Sequence, residues 1–260
     1  MSSPVAVIIT CFNYGRFITQ AVDSVLRQDM LVELIIVDDG SYDQATLAVL
    51  DNLRNQGITV YRQPNQGLSA ARNTGISLTQ AEFIVCLDAD DMLKPEYCST
   101  CYNAMQDRPE VGFIYTTTRV FGDRNKKWSN YSFSRLHLLW DNYIPYSAMF
   151  RRKVWEADGS YDSNPDIVYE DWDFFLTAIE NGWEALHIDQ ELFMYRKHGV
   201  SLLTHANRKR KLAKTSLRDK HISLYRFSYI AALVRNEPWN LYRVIISKLK
   251  DILRGLPLER

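Results

Sequence analysis

The first ninety residues alternate between two kinds of segment, and that alternation restricts the fold more than any other feature. "VAVIIT" (5–10), "ELIIVDDGS" (33–41), "ITVYRQ" (58–63) and "EFIVCL" (82–87) are short, rich in β-branched residues and bounded by turn residues. That is the pattern of strands, and in all but "ITVYRQ" of strands buried on both faces. Between them lie helical stretches: Phe17, Ile18, Ala21, Val22, Val25 and Leu26 at helical spacing, a segment near 43–55, and the small-residue run "NQGLSAARNTGISLT". A β-α-β-α-β-α-β order predicts an α/β class with a mostly parallel central sheet and helices on both faces. Ligands of such sheets bind beyond the carboxyl ends of the strands. Thr10, Asp38, Asp39 and the run from Asp88 to Asp91 all fall at those ends.

From about 111 the pattern is less regular. "VGFIYTTTRVFG" reads as a strand, and "SAMFRRKVWEADGSYD" as a strand running into a short helix and a Gly turn. "YEDWDFFLTAIENG" is an amphipathic helix with acids in its first turn and Gly182 as its stop. "EALHI" and "LFMYRKH" read as two short strands. Neither an internal repeat nor a low-complexity linker is visible.

Carboxylates bunched at a strand end cost free energy unless something positive neutralises them. "DADD" (88–91) taken alone reads equally as a solvated turn or as a site. "VDDG" (37–40) ends a different strand of the same sheet, so both acid clusters converge on one cleft. Hard oxygen donors there suit Mg²⁺ or Mn²⁺, which share their remaining positions with substrate phosphates. A dinucleotide site would need G-x-G-x-x-G after the first strand, and "TCFNYGRF" lacks it. An aspartyl-phosphate phosphatase would need a Thr or Val soon after its D-x-D and a downstream Lys and acidic pair; "DADDMLKP" fits that poorly.

The net charge of zero conceals an asymmetry. Residues 201–260 carry 14 Lys and Arg against 4 Asp and Glu, a net of +10, which leaves −10 for residues 1–200. Nothing reaches the run of about 18 apolar residues that a spanning helix needs. The start, "MSSPVAVIITCFN", lacks the basic n-region and cleavage site of a signal peptide. The 4 cysteines are sparse, which fits a reducing compartment. Cys98 and Cys101 form a lone C-x-x-C, read as two thiols on one helix face because no second ligand pair sits nearby.

Seven segments, taken in order, resemble the family 2 glycosyltransferases, which have the GT-A fold and use nucleotide-sugar donors. They are "VIITCFNYGRFITQAVDSVLRQ", "ELIIVDDGSYD", "NQGLSAARNTGI", "FIVCLDADDMLKP", "AMFRRKVWEADGSYD", "YEDWDFFLTAIENG" and "YRKHGVS", and they cover about residues 4–201. The resemblance implies a Rossmann-like GT-A catalytic domain over 1–201. Its nucleotide-sugar-binding half is 1–110 and its acceptor-binding half 111–201; the basic amphipathic helical extension over 202–260 lies outside the resemblance.

The resemblance also implies roles for residues. Asp39 is similar to the acid that accepts the N3–H of a pyrimidine base, a task suited to an acceptor-only carboxylate. Thr10 and Phe12 resemble residues lining the base pocket; Phe12 stands where many relatives have Tyr, which keeps stacking but removes the phenol. Arg72 looks placed to reach the nucleotide or its phosphates, with an exposed helical cation as the alternative. Asp88, Ala89 and Asp90 resemble the D-x-D motif: Asp88 would face the ribose and Asp90 would ligate a Mn²⁺ or Mg²⁺ ion bridging the diphosphate. His198 resembles a histidine that completes the metal site in many relatives. Asp91, Glu170 and Trp172 would support these groups or the acceptor. Asp171 matches the family's proposed base, although the acids beginning that helix also suit plain dipole complementation. The neighbouring acids Glu170 and Asp173 would raise the proton affinity of Asp171 and the helix N-terminus would lower it, and which of the two wins is open in the sequence.

The function so implied is an inverting transfer from a UDP- or dTDP-sugar to a saccharide or lipid-linked acceptor, in surface polysaccharide or glycoconjugate synthesis. A catalytically silent sugar-nucleotide-binding or partner-binding relative is one alternative. A nucleic-acid binder using the basic tail is another, disfavoured because the tail mixes its cations with apolar residues and shows no nucleic-acid motif. Acceptor choice is expected in 120–165, where "WSNYSFSRLHLLWDNYIPY" supplies rings that stack on sugars or build a core. In "LYRVIISKLKDILRG", Leu241, Val244, Ile245, Leu249, Ile252 and Leu253 share one helical face. Such a helix lies on an anionic membrane surface, or packs on the catalytic domain or a second subunit. The expected location is cytoplasmic, or peripheral at the inner face of the cell membrane.

Overall fold

β1 (Val5–Cys11) is buried along its whole length because strands flank both of its edges. It pairs in parallel with β2 (Glu33–Asp38) and with β4 (Phe83–Asp88), and β2 pairs in parallel with β3 (Thr59–Arg62). Side chains alternate across a strand. Ala6 and Ile8 therefore enter one core cluster with Val37, Ala71 and Ile76, while Val5, Val7, Ile9 and Cys11 enter another with Ile18, Val22 and Leu50. Helix α1 (Gly15–Leu26) and helix α2 (Gln44–Asn55) cover the second face, and α3 (Leu68–Ser77) covers the first. Gly75 lets α3 lie directly on the sheet, since a Cβ there would stand 2.1 Å from Ile8 Cγ2. The structure is a computed structural model. It describes residues 3–128, 131–158, 160–164, 169–199 and 210–255, with the backbone alone at 158, 210–211 and 249–255.

The sheet continues as β3-β2-β1-β4-β8-β6-β9-β5, with β7 (Lys126–Trp128) on the edge of β6. The parallel pattern holds for β3-β2-β1-β4, and the second half is mixed. β8 (Met149–Arg151) runs antiparallel to both β4 and β6 (Val111–Gly122), whereas β6 and β9 (Glu184–Lys197) are parallel. Helix α4 (Tyr97–Gln106) follows β5 (Met92–Leu93), α5 (Arg135–Leu138) precedes β8, and α6 (Arg152–Asp158) and α7 (Glu170–Glu180) follow it. Cys98 and Cys101 are buried, free thiols of α4, and burial pushes the proton affinity of both up.

The two strands expected at "EALHI" and "LFMYRKH" are one strand, β9. Thr116 pairs with Ile188 and Thr117 with Glu191, so Asp189 and Gln190 are carried as a bulge. In sequence that polar pair reads as a turn. Beside the long, mostly buried β6 the ladder runs past it, and Thr117 Oγ1 donates to Asp189 Oδ1 at 2.9 Å.

β5 pairs antiparallel with β9, Met92 opposite Met194 and Leu93 opposite Phe193. Lys94 N extends the pairing to Leu192 O at 2.8 Å. The segment just after the acid run is thereby laid against the segment just before His198, although about a hundred residues separate them.

The C-terminal segment contributes α8 (Arg210–Lys220), a 3-10 turn (Ile222–Tyr225), α9 (Phe227–Asn236) and α10 (Leu241–Gly255). Ala213, Leu217, Leu224, Leu233 and Val244 join the core cluster that holds Phe174 and Phe175 of α7. Several cations of the segment are also spent on the domain. Lys214 Nζ donates to Trp140 O at 2.7 Å, and Lys220 Nζ bridges Asp162 Oδ2 at 2.6 Å and Asp173 Oδ2 at 2.8 Å. His221 is buried between Asp173 Oδ1 and Glu180 Oε2, each at 2.9 Å. Packing on the catalytic domain, the alternative to membrane docking, therefore describes α8 and the 3-10 turn, with Leu233 of α9 and Val244 of α10. The basic residues before 210, and the side chains of Leu249, Lys250, Ile252, Leu253 and Arg254, lie outside the described residues. Among the described residues no helix is long and apolar enough to cross a membrane.

Burial lowers the proton affinity of His221, but its hydrogen bonds to Asp173 and Glu180 and their charges outweigh this and leave its pKa raised. A raised imidazole pKa contributes stability that is complete below the ordinary value of about 6.5 and is lost as the pH rises through the folded value. The thermal midpoint of the chain is therefore expected to exceed that of His221→Gln in mildly acidic buffer, with the gap closing above neutrality. A gap of constant size across that range would mean that His221 binds its partners as a neutral ring.

Candidate active site

β4 ends at Asp88 and the chain turns at once, with Ala89 N donating to Thr10 O at 3.1 Å and Asp91 N to Asp88 O at 3.0 Å. Asp88, Asp90 and Asp91 each bring one carboxylate oxygen within 4.8 Å of the others. The three carboxylates are not equivalent. Asp91 is buried, accepting Arg196 N on Oδ1 at 2.6 Å and the Tyr146 hydroxyl on Oδ2 at 2.5 Å. Asp88 accepts from Thr10 Oγ1 at 3.3 Å and Arg72 Nη2 at 3.2 Å. Asp90 is partly open and meets His198 Nε2 at 2.9 Å. Burial raises the pKa of Asp88 and Asp91; neighbouring carboxylates add to the rise, and Arg72 pulls Asp88 back. An oxygen-only donor set crowded enough to raise its own proton affinity fits a hard divalent cation.

His198 follows β9, and its Nδ1 lies 3.2 Å from Arg16 Nη2. A guanidinium only donates, so Nδ1 accepts and Nε2 carries the proton towards Asp90. Ligation through Nε2 requires the other tautomer, which Arg16 opposes while it remains on Nδ1. Phe17 and Tyr14 pack the ring at centroid distances of 4.7 and 5.7 Å.

At the end of β2, Asp39 is buried and already heavily engaged. Oδ1 accepts Gln63 Nε2 at 2.8 Å and Gln66 N at 2.9 Å, and Oδ2 accepts Gly67 N at 2.9 Å. A carboxylate offers about four acceptor positions, so one remains, on Oδ2. Phe12 is exposed just past β1, its ring edge-on to Tyr42 at 5.9 Å. Asn13, at φ 59°, accepts Tyr42 N and Asp43 N, each at 2.9 Å, and so ties the loop after β1 to the loop after β2. Thr10 is buried beside Asp88.

Arg72 is not the exposed helical cation of the alternative reading: it is 1% exposed, and its two Nη nitrogens are engaged within the protein. Nη2 meets Asp88, and Nη1 meets Glu170 Oε1 at 2.9 Å. Its guanidinium carbon lies 5.0 Å from the ring centre of Tyr146 and 5.3 Å from that of Tyr161. Burial raises Glu170 to about 7, with Arg72 lowering it and Asp171 raising it. Asp171 is raised as well, chiefly by burial, while Asn142 and Arg72 oppose the rise. Burial, which the sequence reading did not weigh against the neighbouring acids and the helix dipole, is the largest cause. Asp173 is not among its largest causes and faces Lys220 and His221 on the other side of α7.

Of the two places expected for Trp172, supporting or contacting the acceptor, it takes the supporting one. It is buried in the core and its Nε1 donates to Leu138 O at 2.7 Å, so it supports the wall from behind. Asn142 was not singled out, yet its Nδ2 donates to Asp171 Oδ2 at 2.9 Å. Tyr146 was missed too, although it receives Asp88 N at 3.0 Å and donates to Asp91. Both lie in the aromatic stretch read for acceptor binding, where spacing gives no direction to a side chain. A cavity of about 450 Å³ lined by Asp162, Asp173, Glu180, Lys220 and His221 lies behind α7, and those charged groups are engaged with one another.

The model of the family described as "Glycosyl transferase family 2" matches residues 6–165. The chain is 28% identical over 202 residues to chondroitin synthase of Escherichia coli, covering 75% of this chain and 29% of that protein. It is 29% identical over 216 residues to the uncharacterized glycosyltransferase EpsJ of Bacillus subtilis, covering 76% of this chain and 62% of that one. The chain thus spans under two thirds of the length of either relative. Among solved structures, S. aureus TarS 1-349 in complex with UDP-GlcNAc superposes with a TM-score of 0.66 at 18% identity, over 99% of this chain and 82% of that one. Mannosyltransferase PcManGT from Pyrobaculum calidifontis, in complex with GDP-Man and Mn²⁺, gives 0.58 at 14% identity, over 98% and 90%. At these identities the likeness establishes the GT-A fold.

Replacing Arg72 by Met leaves Asp88 and Glu170 facing each other without their shared cation. Removing one partner of a buried ion pair costs about 3–5 kcal/mol. Denaturant titration of Arg72→Met should show a loss of that size, with Arg72→Lys between it and the parent, because one ammonium cannot span both acids in the same geometry. A loss under about 1 kcal/mol for Arg72→Met would remove the bridge from the account of stability.

Proposed function

The chain belongs to glycosyl transferase family 2, and on that premise we propose that it moves a sugar from a UDP- or dTDP-sugar to a hydroxyl of a saccharide or lipid-linked acceptor, inverting the anomeric centre. The setting is surface polysaccharide or glycoconjugate synthesis, on the cytoplasmic side. One observation carries the reading: Arg72 joins Asp88 of the acid cluster to Glu170, the neighbour of Asp171. A diphosphate-side group and a hydroxyl-side group are thus held on one buried strut. TarS with UDP-GlcNAc and PcManGT with GDP-Man and Mn²⁺ support a nucleotide-sugar donor and a metal. We retain 1–201 as the catalytic domain and 202–260 as its extension.

Asp39 keeps one acceptor position for a base N3–H, and the exposed ring of Phe12 offers a stacking surface beside it. Asp88 faces the ribose from the end of β4. Asp90, with His198, would hold Mn²⁺ or Mg²⁺, and Asp91 fixes the turn through Tyr146 and Arg196. When bound, the cation supplies Lewis-acid neutralisation of the departing diphosphate. Asp171 takes the proton of the acceptor hydroxyl as that oxygen attacks the anomeric carbon. Its raised proton affinity makes it a stronger base than a solvated carboxylate, and Asn142 keeps it oriented and ionised. A single displacement inverts the centre.

Asp171→Asn should leave UDP or dTDP binding nearly intact by calorimetry while transfer falls roughly 100-fold or more, the scale of general-base catalysis. Equal losses in binding and turnover would assign Asp171 a structural part. Asp90→Ala should abolish the Mn²⁺-dependent hydrolysis of nucleotide sugars and weaken donor binding. Hydrolysis that persists undiminished in this variant after chelator treatment would remove the metal from Asp90.

A further inference from the structure

Over its described side chains, which end at Lys248, helix α10 is inside out. The buried positions there are Asn240 just ahead of it, Val244 and Ser247, of which only Val244 is apolar. The opposite face presents Leu241, Tyr242, Ile245 and Ile246, and Trp239, in the 3-10 turn Pro238–Asn240 that leads into the helix, is exposed as well. Trp239 is 67% exposed, Tyr242 53% and Ile245 52%, against 5% for Val244 and 3% for Ser247. The stripe read from the sequence thus divides: Val244 turns inward, and Leu241 and Ile245 turn outward together with two residues it did not include. Phe227, at the start of α9, is 88% exposed. A helix that buries Asn and Ser and shows Trp, Tyr, Leu and Ile to water is costly by the area rule, unless another phase covers the outer face.

We propose that this face of the C-terminal helices lies on an anionic lipid surface, with Trp239, Tyr242, Ile245 and Ile246 entering the headgroup boundary. Charge selects the occupant. Between 221 and 248 the cations are Arg226, Arg235, Arg243 and Lys248, and the one acid is Glu237. Glu237 turns inward, accepting from Ser134 Oγ and from Asn240 Nδ2. Arg226, Arg235 and Lys248 are exposed. In a two-fold dimer through this face the same cations would meet their own copies, which disfavours a second chain as the occupant. Each cation near an anionic surface contributes on the order of 1 kcal/mol, and Trp and Tyr prefer the interfacial layer.

The position also matters for the site. Ser247 Oγ and Lys214 Nζ donate to Trp140 O at 3.2 and 2.7 Å, and Lys248 Nζ lies 4.2 Å from the centre of the Trp140 ring. Two residues on, Asn142 holds Asp171. The inner face of α10 thus holds the loop that reaches Asp171, so a lipid surface under the outer face would lie one helix away from that loop.

The test is co-sedimentation of the full chain with phosphatidylcholine vesicles, with and without phosphatidylglycerol. Binding is expected to need phosphatidylglycerol, to weaken with salt, and to fall at least about tenfold in Ile245→Asp, a change at an exposed position that leaves the thermal midpoint and donor hydrolysis unchanged. Arg235→Glu, remote from the stripe but in its charged surround, should weaken binding without abolishing it. Failure to bind phosphatidylglycerol vesicles at low salt, or equal binding by Ile245→Asp, would overturn the proposal. So would a parent chain that elutes as a dimer and becomes monomeric in Ile245→Asp, which would place a second copy on this face. None of these readouts depends on which sugar is transferred.

Discussion

A guanidinium buried between two acids organises this molecule. Arg72 leaves α3 towards the inside of the fold and meets Asp88 at the end of β4 and Glu170 at the start of α7. Without a cation at that point, the strand end and the helix start would bring like charges together in a medium that cannot screen them. With it, the two elements have a fixed separation, and Tyr146 and Tyr161 close over the planar cation. The arrangement does not neutralise the whole cleft. Asp88, Asp91, Glu170 and Asp171 all keep raised pKa values, burial being the largest cause in each. That residual excess of negative charge suits a site completed by a divalent cation, which a fully compensated cluster would not need.

The same cleft depends on a pairing far from any motif. β5 has two residues, and its contact with β9 seats the acid run beside His198. Arg196 strengthens the join by giving its N–H to Asp91 and its Nε to Asp90 O at 2.7 Å. A short strand of this kind has little stability by itself; it is held because β9 already lies along the buried β6. The C-terminal segment acts similarly at the other end of the site. Lys220 and His221 engage Asp173, so the helix that presents Asp171 to the cleft is gripped from behind.

Much of this was legible in the sequence. The β-branched runs of β1, β2 and β4 gave their strands, because only a strand enclosed on both edges and both faces tolerates such unbroken apolar character. Carboxylates at the ends of those strands gave the cleft, because parallel strands deliver their carboxyl ends to one edge. Helical spacing placed α1, α2, α3 and α7. The D-x-D run and the acids opening α7 were visible as chemistry before any geometry. These features are local: each is fixed by residues near one another in the chain.

What the tertiary structure decided was direction and partnership. Periodicity could assign Arg72 to a helix but not turn it inward, because that depends on two acids 16 and 98 positions away. It could not show that Asn142 orients Asp171, that Tyr146 ties Asp88 to Asp91, or that the polar Asp189–Gln190 pair is a bulge in a continuous strand. It found an apolar stripe on α10 and could not say which side faces the protein. A helix has no preferred rotation about its own axis until something packs against it, and here Trp140 and Ser132 take the polar side, through Ser247 and Arg243. Composition and spacing determined which elements form and which chemistry they carry; long-range packing determined which way they point.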